Sequence, residues 1–230
     1  MSVGLVIVSH SDKIAVGIGE LAGQMAPTTR VLPAGGLDDG GLGTSFEKIA
    51  RAIAEADDGG GVVLLCDLGS AILTAETALD FLDDDQRERV VIADAPVVEG
   101  AVAAAVAAET GGNLAAVVTA AESANRQGQP EPAAPVASGE SATLAEVLTA
   151  RTTLVNKDGL HARPAADFVK RASDFEAAVT VNGVDAKSLL RIMSLGLGVG
   201  SEITLTAEGP DAQVALDALV GLIESGFGEA

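Results

Sequence analysis

The sequence predicts two folding units, the first of them an α/β domain whose mainly parallel sheet is covered by helices on both faces. Three observations carry this. Short, wholly apolar runs alternate with longer segments of helical spacing through the first half of the chain; strands without a polar face belong to sheets buried on both sides. A Pro- and Ala-rich stretch then breaks all periodicity. Charge divides at the same place: residues 1–150 carry 7 basic and 22 acidic side chains, residues 151–230 carry 7 and 11.

In order, the strand candidates of the first unit are residues 3–8 (VGLVIV), 30–32, 62–66 (VVLLC) and 90–92. Helical spacing runs over 13–25, 45–56, 71–82 and 97–108, the last favoured as helix by its alanine content. From residue 122 the chain reads ESANRQGQPEPAAPVASGE, with three prolines and Val136 as its one large apolar residue. The expected division is therefore a first domain over 1–124, a flexible linker over 125–149 and a second domain over 150–230. That second domain opens on an extended segment at 152–155 and a helix running from Pro164 to about Ala172.

Composition removes several function classes. The formal charge of −19 repels nucleic acid and anionic membrane, and the lack of Trp and Tyr argues against base stacking. The apolar runs at 101–108 and 114–121 are too short to span a bilayer, and no secretory leader is read at the start. A lone Cys66 fits a reducing cytoplasm and is read as strand core. A cytoplasmic protein with neither membrane nor nucleic-acid partner, and with no metal site, is expected.

The chain has only two histidines, one in each unit. His10 follows the first strand, Gly35 and Gly36 the second, Asp67 the third and Asp94 the fourth, so all are expected at the carboxyl edge of the sheet, where ligands bind. The turns Gly40-Gly41-Leu42-Gly43-Thr44-Ser45 and Leu68-Gly69-Ser70 each lead into a helix, whose free amides and flanking hydroxyls suit an anion. Gly36, Thr44, Gly69 and Ser70 are the candidate phosphate contacts. Ser9, Ser11 and Asp12 read as caps, with either serine a possible donor to phosphate. A neutral imidazole oriented by a carboxylate is a nucleophile, which assigns Asp67 to orient His10. The plainer alternative is that His10 and Asp67 each merely cap a helix.

In the second unit, Asp158-Gly159 marks a turn and Pro164 suits a helix's first turn. His161 is thus placed at a helix N-terminus, beside the amides of Ala162 and Arg163 and near the Arg163 guanidinium. A phosphoryl group on its ring would meet all three.

Residues 151–230 resemble the histidine-containing phosphocarrier protein HPr of the phosphotransferase system, through GLHARPAADFVKRA, AKSLLRIMSLGLGVGSEITLTAEGPDA and ALDALVGLI. The resemblance implies a small α+β open-faced sandwich, with a four-stranded antiparallel sheet and three helices on one face. It also implies phosphorylation of His161 on Nδ1, steadied by Arg163. Ser188 matches a position that some relatives phosphorylate for regulation; from sequence alone the helix-cap reading is favoured over the regulatory one.

Residues 1–124 resemble the mannose-type IIA domain in the version found in dihydroxyacetone kinase phosphotransfer subunits, through GLVIVSHS, GGLDDGGLGTSFEKI, DLGSAILTAE and DAPVVEGAVAAAVAA. That implies phosphorylation of His10 through Nε2, with Asp67 orienting the ring, and a homodimer formed through this domain. The Asp67-Leu68-Gly69-Ser70-Ala71 turn departs from the GGSP-like turn of sugar-transporting relatives. Together the resemblances imply a multiphosphoryl transfer protein of phosphoenolpyruvate–glycerone phosphotransferase. Enzyme I is the expected donor and the nucleotide-binding subunit of dihydroxyacetone kinase, which would hold ADP and ATP, the expected acceptor. The chain itself is expected to bind no cofactor beyond its covalent phosphohistidines. Because it stops at Ala230, it is expected to lack the enzyme I-like fragment of some members. Two alternatives stand: a component of mannose-type sugar uptake that donates to a IIB domain, and a phosphoprotein read by a regulator. Arg163, Lys170, Arg171 and Arg191 are a candidate basic face toward acidic partners.

Overall fold

Gly4–Ser9 (β1) is buried at every position, and its side chains divide between two cores. Leu5 and Ile7 join Ala15, Ile18, Ala101 and Ala104 on one side, while Val6 and Val8 join Ile49, Ile53, Ala71 and Ala75 on the other. A strand buried on both faces needs apolar side chains at odd and even positions alike, which is why it reads as an unbroken run. The computed structural model describes residues 2–126 and 147–228. They fall into two compact units, Met1–Asn125 and Arg126–Ala230. Most of the expected linker, 127–146, lies outside the described residues.

After β1 the first unit continues through α1 (Asp12–Met25), β2 (Val31–Gly35), α2 (Phe46–Ala56), β3 (Val62–Cys66), α3 (Gly69–Asp80), α4 (Asp84–Arg87), β4 (Val90–Ile92), α5 (Val97–Glu109) and α6 (Leu114–Glu122). The strands are all parallel, in the order β2-β1-β3-β4. Helices α1, α5 and α6 cover one face of the sheet, and α2 and α3 the other. The chain thus leaves β1 toward one face and its neighbour β3 toward the opposite face. Between the carboxyl ends of those two strands a crevice opens, the topological switch point of an α/β sheet. That crevice holds the site.

Several elements of the first unit differ from expectation, helix α3 by running over Gly69–Asp80 rather than 71–82 and α4 by forming at all. The second strand runs on to Gly35 rather than ending at Leu32, because β2 is an edge strand and tolerates Pro33, paired with Ile7. Residues 114–122, read only as an apolar run, form α6, which is capped by Asn113 accepting from the Ala116 amide at 3.0 Å and buries Val117 and Ala121. A 3-10 turn, Ser123–Arg126, carries order past residue 124.

The second unit runs β5 (Leu148–Thr153), α7 (Ala162–Ser173), β6 (Ala178–Val181), β7 (Val184–Asp185), α8 (Leu189–Ser194), β8 (Glu202–Glu208) and α9 (Ala212–Glu224). Its sheet is antiparallel, ordered β5-β8-β6-β7. Ile203, Leu205 and Ala207 of β8 point into a core shared with Phe168 and Val169 of α7 and Leu216, Leu219 and Ile223 of α9, all buried. The expected sandwich is what forms. Strand β5 starts at Leu148, two residues inside the expected linker and earlier than the extended segment at 152–155. Its side chains alternate but are mostly Thr, Ala and Arg, so pairing with β8 rather than its own hydrophobicity defines it. Among the described residues no helix is long and apolar enough to cross a membrane.

Close packing at the carboxyl edge depends on Gly35, the last residue of β2. A Cβ there would lie 2.6 Å from the Ser11 carbonyl oxygen and 2.8 Å from both Asp12 Cα and Ala15 Cβ. Gly35→Ala should therefore cost about 1–3 kcal/mol of stability, the usual range for overpacking. Gly17, exposed inside α1, has nothing within 4 Å of a built Cβ. Gly17→Ala should gain about 0.5–1 kcal/mol. Urea unfolding of the two variants should show shifts of opposite sign; shifts of the same sign would contradict this packing.

Candidate functional site

Asp67 follows β3 directly, and its backbone N–H donates to the Val8 carbonyl at 3.1 Å, which aims its side chain at the end of β1. There the carboxylate collects four donors. Oδ1 accepts from His10 Nδ1 at 2.9 Å and from the Leu68 amide at 2.7 Å. Oδ2 accepts from the Ser9 hydroxyl at 2.8 Å and the His10 amide at 2.9 Å. On the far side of the ring, His10 Nε2 lies 2.8 Å from Ser70 Oγ in the first turn of α3. Ser9 and His10 are 57 to 60 residues from Asp67 and Ser70 in these bonds; adjacency of β1 and β3 removes that separation.

Burial alone would raise the Asp67 pKa, but the His10 amide and ring, the Ser9 hydroxyl and the Leu68 amide together outweigh it and hold the carboxyl below its ordinary range. Its ionised form therefore stabilises the fold above the ordinary carboxylate pKa, and that stabilisation is lost as pH falls through the lowered value. An ionised carboxylate only accepts, so the Nδ1 facing it carries a proton. In the neutral ring the lone pair is then on Nε2, where the Ser70 hydroxyl donates to it. An imidazole in this tautomer can act as a nucleophile through Nε2. Beside it, burial, Asp67 and Glu76 push the Cys66 thiol up to about 12, so it stays protonated and takes no part.

The remaining expected contacts divide. Gly69 and Ser70 begin α3, and the first amides of a helix have no carbonyl of their own helix to serve. Those amides belong to the same turn as the Ser70 hydroxyl that meets Nε2. Gly36 is different: its N–H donates to the Ser9 carbonyl at 3.0 Å because β2 extends to Gly35, so it is not available to an anion. The Thr44 hydroxyl is 2.7 Å from that of Thr74, and so it too is engaged within the protein. Ser9 is fully buried and anchors Asp67 instead of reaching a phosphate, and Ser11 occupies the N-cap of α1 without a side-chain cap bond. The role of Ser9 was not expected, although a polar residue ending an otherwise apolar strand was its signal.

His161 is the N-cap of α7 and exposed, its carbonyl accepting from the Ala165 amide at 2.9 Å. The turn before it is pinned to the segment after α8. The Leu160 amide donates to the Leu197 carbonyl at 2.8 Å, and Gly159 has φ +75° in a spot where a Cβ would lie 2.5 Å from that same oxygen. Only glycine fits both conditions. Ala162 and Arg163 supply the first-turn amides, and Arg163 is exposed. Lys170 and Arg171 sit in the last turn of the helix, about 14–15 Å along it from His161. Arg171 is occupied there by Asp174 at 3.1 Å and the Phe175 ring. Of the four residues expected to form a basic face, Arg163 lies at one end of α7, Lys170 and Arg171 lie at the other, and Arg191 lies in α8. Ser188 is the half-buried N-cap residue of α8, without a side-chain cap bond. No cluster of three or more metal-binding side chains occurs among the described residues.

Residues 4–118 match the family model described as the PTS system fructose IIA component, and residues 148–225 match that of the PTS HPr component phosphorylation site. The phosphoryl donor subunit DhaM of the PEP-dependent dihydroxyacetone kinase of Providencia stuartii is 37% identical over 241 residues, covering 99% of this chain and 50% of that protein. The DhaM subunit of dihydroxyacetone kinase 2 of Listeria innocua is 46% identical over 105 residues, covering 45% of this chain and 84% of that protein. The phosphocarrier protein HPr of Cupriavidus necator is 49% identical over 82 residues, covering 34% of this chain and 92% of that protein. The chain spans about half the length of the curated relatives that it matches from end to end.

The hydrogen-bond line Asp67–His10–Ser70 makes a spectroscopic prediction. Nitrogen NMR of the neutral His10 ring should show the proton on Nδ1. Asp67→Asn should mix the two tautomers and shift acid unfolding less steeply, and it should slow chemistry at Nε2 by about one to two orders of magnitude, as loss of an orienting carboxylate does. An unaltered tautomer in Asp67→Asn would remove the carboxylate from its orienting role.

Proposed function

The chain belongs to the DhaM family of phosphoryl donor subunits, and from that premise we propose that it relays phosphoryl groups through His161 and then His10. Enzyme I, charged by phosphoenolpyruvate, supplies the group. ADP held by the nucleotide-binding subunit of dihydroxyacetone kinase receives it, and the ATP so formed phosphorylates dihydroxyacetone. The chain acts as a cytoplasmic component of phosphoenolpyruvate–glycerone phosphotransferase, dimeric through its first unit.

The observation that carries this reading is the ring of His10 held between Asp67 at Nδ1 and Ser70 at Nε2; an ionised Asp67 accepts from Nδ1–H and leaves the lone pair to Nε2. In the first step the bond between phosphorus and the enzyme I histidine breaks as one to His161 Nδ1 forms, with Arg163 and the first amides of α7 beside the charge. Next His10 Nε2 attacks that phosphorus, and His161 leaves as neutral imidazole. Two different ring nitrogens let the imidazoles face each other across the group, in line. The positive charge on the phosphorylated His10 ring lies against the Asp67 carboxylate, which keeps the Nδ1 proton opposite it. The Ser70 hydroxyl turns from Nε2 to a phosphoryl oxygen, next to the amides of Gly69 and Ser70. Finally a terminal phosphate oxygen of ADP attacks, the P–N bond breaks and the His10 lone pair returns. No proton has to leave the site in this sequence, so positioning and charge stabilisation are the whole of the catalysis.

Labelled phosphoenolpyruvate with enzyme I tests the order. His161→Ala should abolish all labelling, whereas His10→Ala should leave His161 labelled and stop dihydroxyacetone phosphorylation. Efficient labelling of His10 in His161→Ala, without added phosphocarrier, would overturn the relay.

A further inference from the structure

The segment between β2 and α2 is fastened at three points across the end of the sheet. The Gly36 N–H donates to the Ser9 carbonyl at 3.0 Å, and the Gly43 N–H donates to the His10 carbonyl at 2.9 Å. The third point is Thr44, whose hydroxyl meets that of Thr74 at 2.7 Å, 30 residues further on. Because β2 and β3 flank β1 on opposite sides, this strap starts on the β2 side, passes the backbone of His10 and ends on α3, the helix that carries Ser70.

Proton counting orients the third bond. The Thr74 hydroxyl donates to the Ser70 carbonyl at 3.1 Å, which uses its single proton. Thr44 is therefore the donor to Thr74, and the line runs from the strap through Thr74 to the backbone of Ser70. A threonine bonded to the carbonyl four residues back is ordinary in helices; Thr77 and Thr119 do the same at exposed positions. What distinguishes Thr74 is the second hydroxyl, brought to it from another element beside the site.

We propose that Thr44 and Thr74 form a latch that positions Ser70 against His10 Nε2. They are positioning residues: neither touches the ring, and each acts through the first turn of α3. With the latch closed, His10 is gripped through its own carbonyl by Gly43 on one side and faced by the Ser70 hydroxyl on the other, so the donor stands ready as the phosphoryl group arrives. With the latch open, α3 keeps its fold through Ala71, Ala75 and Ala78 in the core, but the turn bearing Ser70 loses its tie to the strap. The inference rests on the phosphorelay reading for its rate effects and on geometry alone for its spectroscopic ones.

The test uses the full chain with Thr44→Val, Thr74→Val, Thr74→Ser and Ser70→Ala. Single-turnover transfer from phosphorylated His161 to His10 should slow about fivefold in each valine variant, the size expected for one lost hydrogen bond. Labelling of His161 by enzyme I should be unchanged, and Thr74→Ser should restore the rate. In a Ser70→Ala background, Thr74→Val should add nothing, because both changes remove the same contact. The His10 Nε2 nitrogen resonance should move in Thr74→Val as it does in Ser70→Ala. An unmoved resonance with wild-type transfer rates in both valine variants would overturn the latch, as would full additivity with Ser70→Ala. If wild-type His10 took no label while the resonance still moved, the relay would fail and the latch would stand.

Discussion

The placement of the His10 ring at the carboxyl edge of the first unit depends on one carboxylate. Asp67 sits where two neighbouring parallel strands send their chains to opposite faces of the sheet, and it joins the ends of both. Ser9 and the His10 amide come from one strand, and the Leu68 amide opens the helix after the other. A part-buried carboxylate stays ionised most readily when its lone pairs are filled, and here four donors fill them. The same four bonds position the imidazole. Fixing the fold and fixing the tautomer are a single act of hydrogen bonding, so neither can be altered without the other.

In the proposed relay the two histidines meet the phosphoryl charge by different means. His10 is held on both ring nitrogens by side chains, in a crevice built from segments far apart in sequence. His161 is placed by its backbone, as the N-cap of a helix whose preceding turn is pinned at Leu160 and Gly159. A side-chain clamp gives a defined nucleophile; a helix terminus gives an anion site that stays open to solvent and to partners. A carrier that must meet both a donor and an acceptor benefits from the second arrangement. A station that hands its group to one acceptor benefits from the first.

Much of this is legible in the sequence where a single segment contains the signal. Each histidine stands alone in its unit next to a strand end or a helix start, and Asp67 is the first charged residue after a wholly apolar strand. Contacts between distant segments are not legible in that way. Nothing near Thr44 announces Thr74, and Ser9 resembles an ordinary cap until β1 and β3 are side by side. Gly36 looked like an anion contact because Pro33 hides the last residues of β2; once the edge strand is seen to continue, its amide belongs to the sheet. The first residues of strand β5 are hidden for a related reason. Its inward positions are Leu148, Ala150 and Thr152, and too little of that alternation is apolar to be read without β8 beside it.

The central claim is that Asp67 keeps the proton on one nitrogen of His10 so that phosphorus is received on the other. The most direct measurement is phosphorus–nitrogen correlation by NMR on the full chain after charging with phosphoenolpyruvate and enzyme I. At His10 the phosphoryl group should be coupled to Nε2, with Nδ1 still protonated and directed at Asp67. A phosphoryl group on Nδ1 of His10 would contradict the account, because that nitrogen would have had to leave the carboxylate that holds the site together.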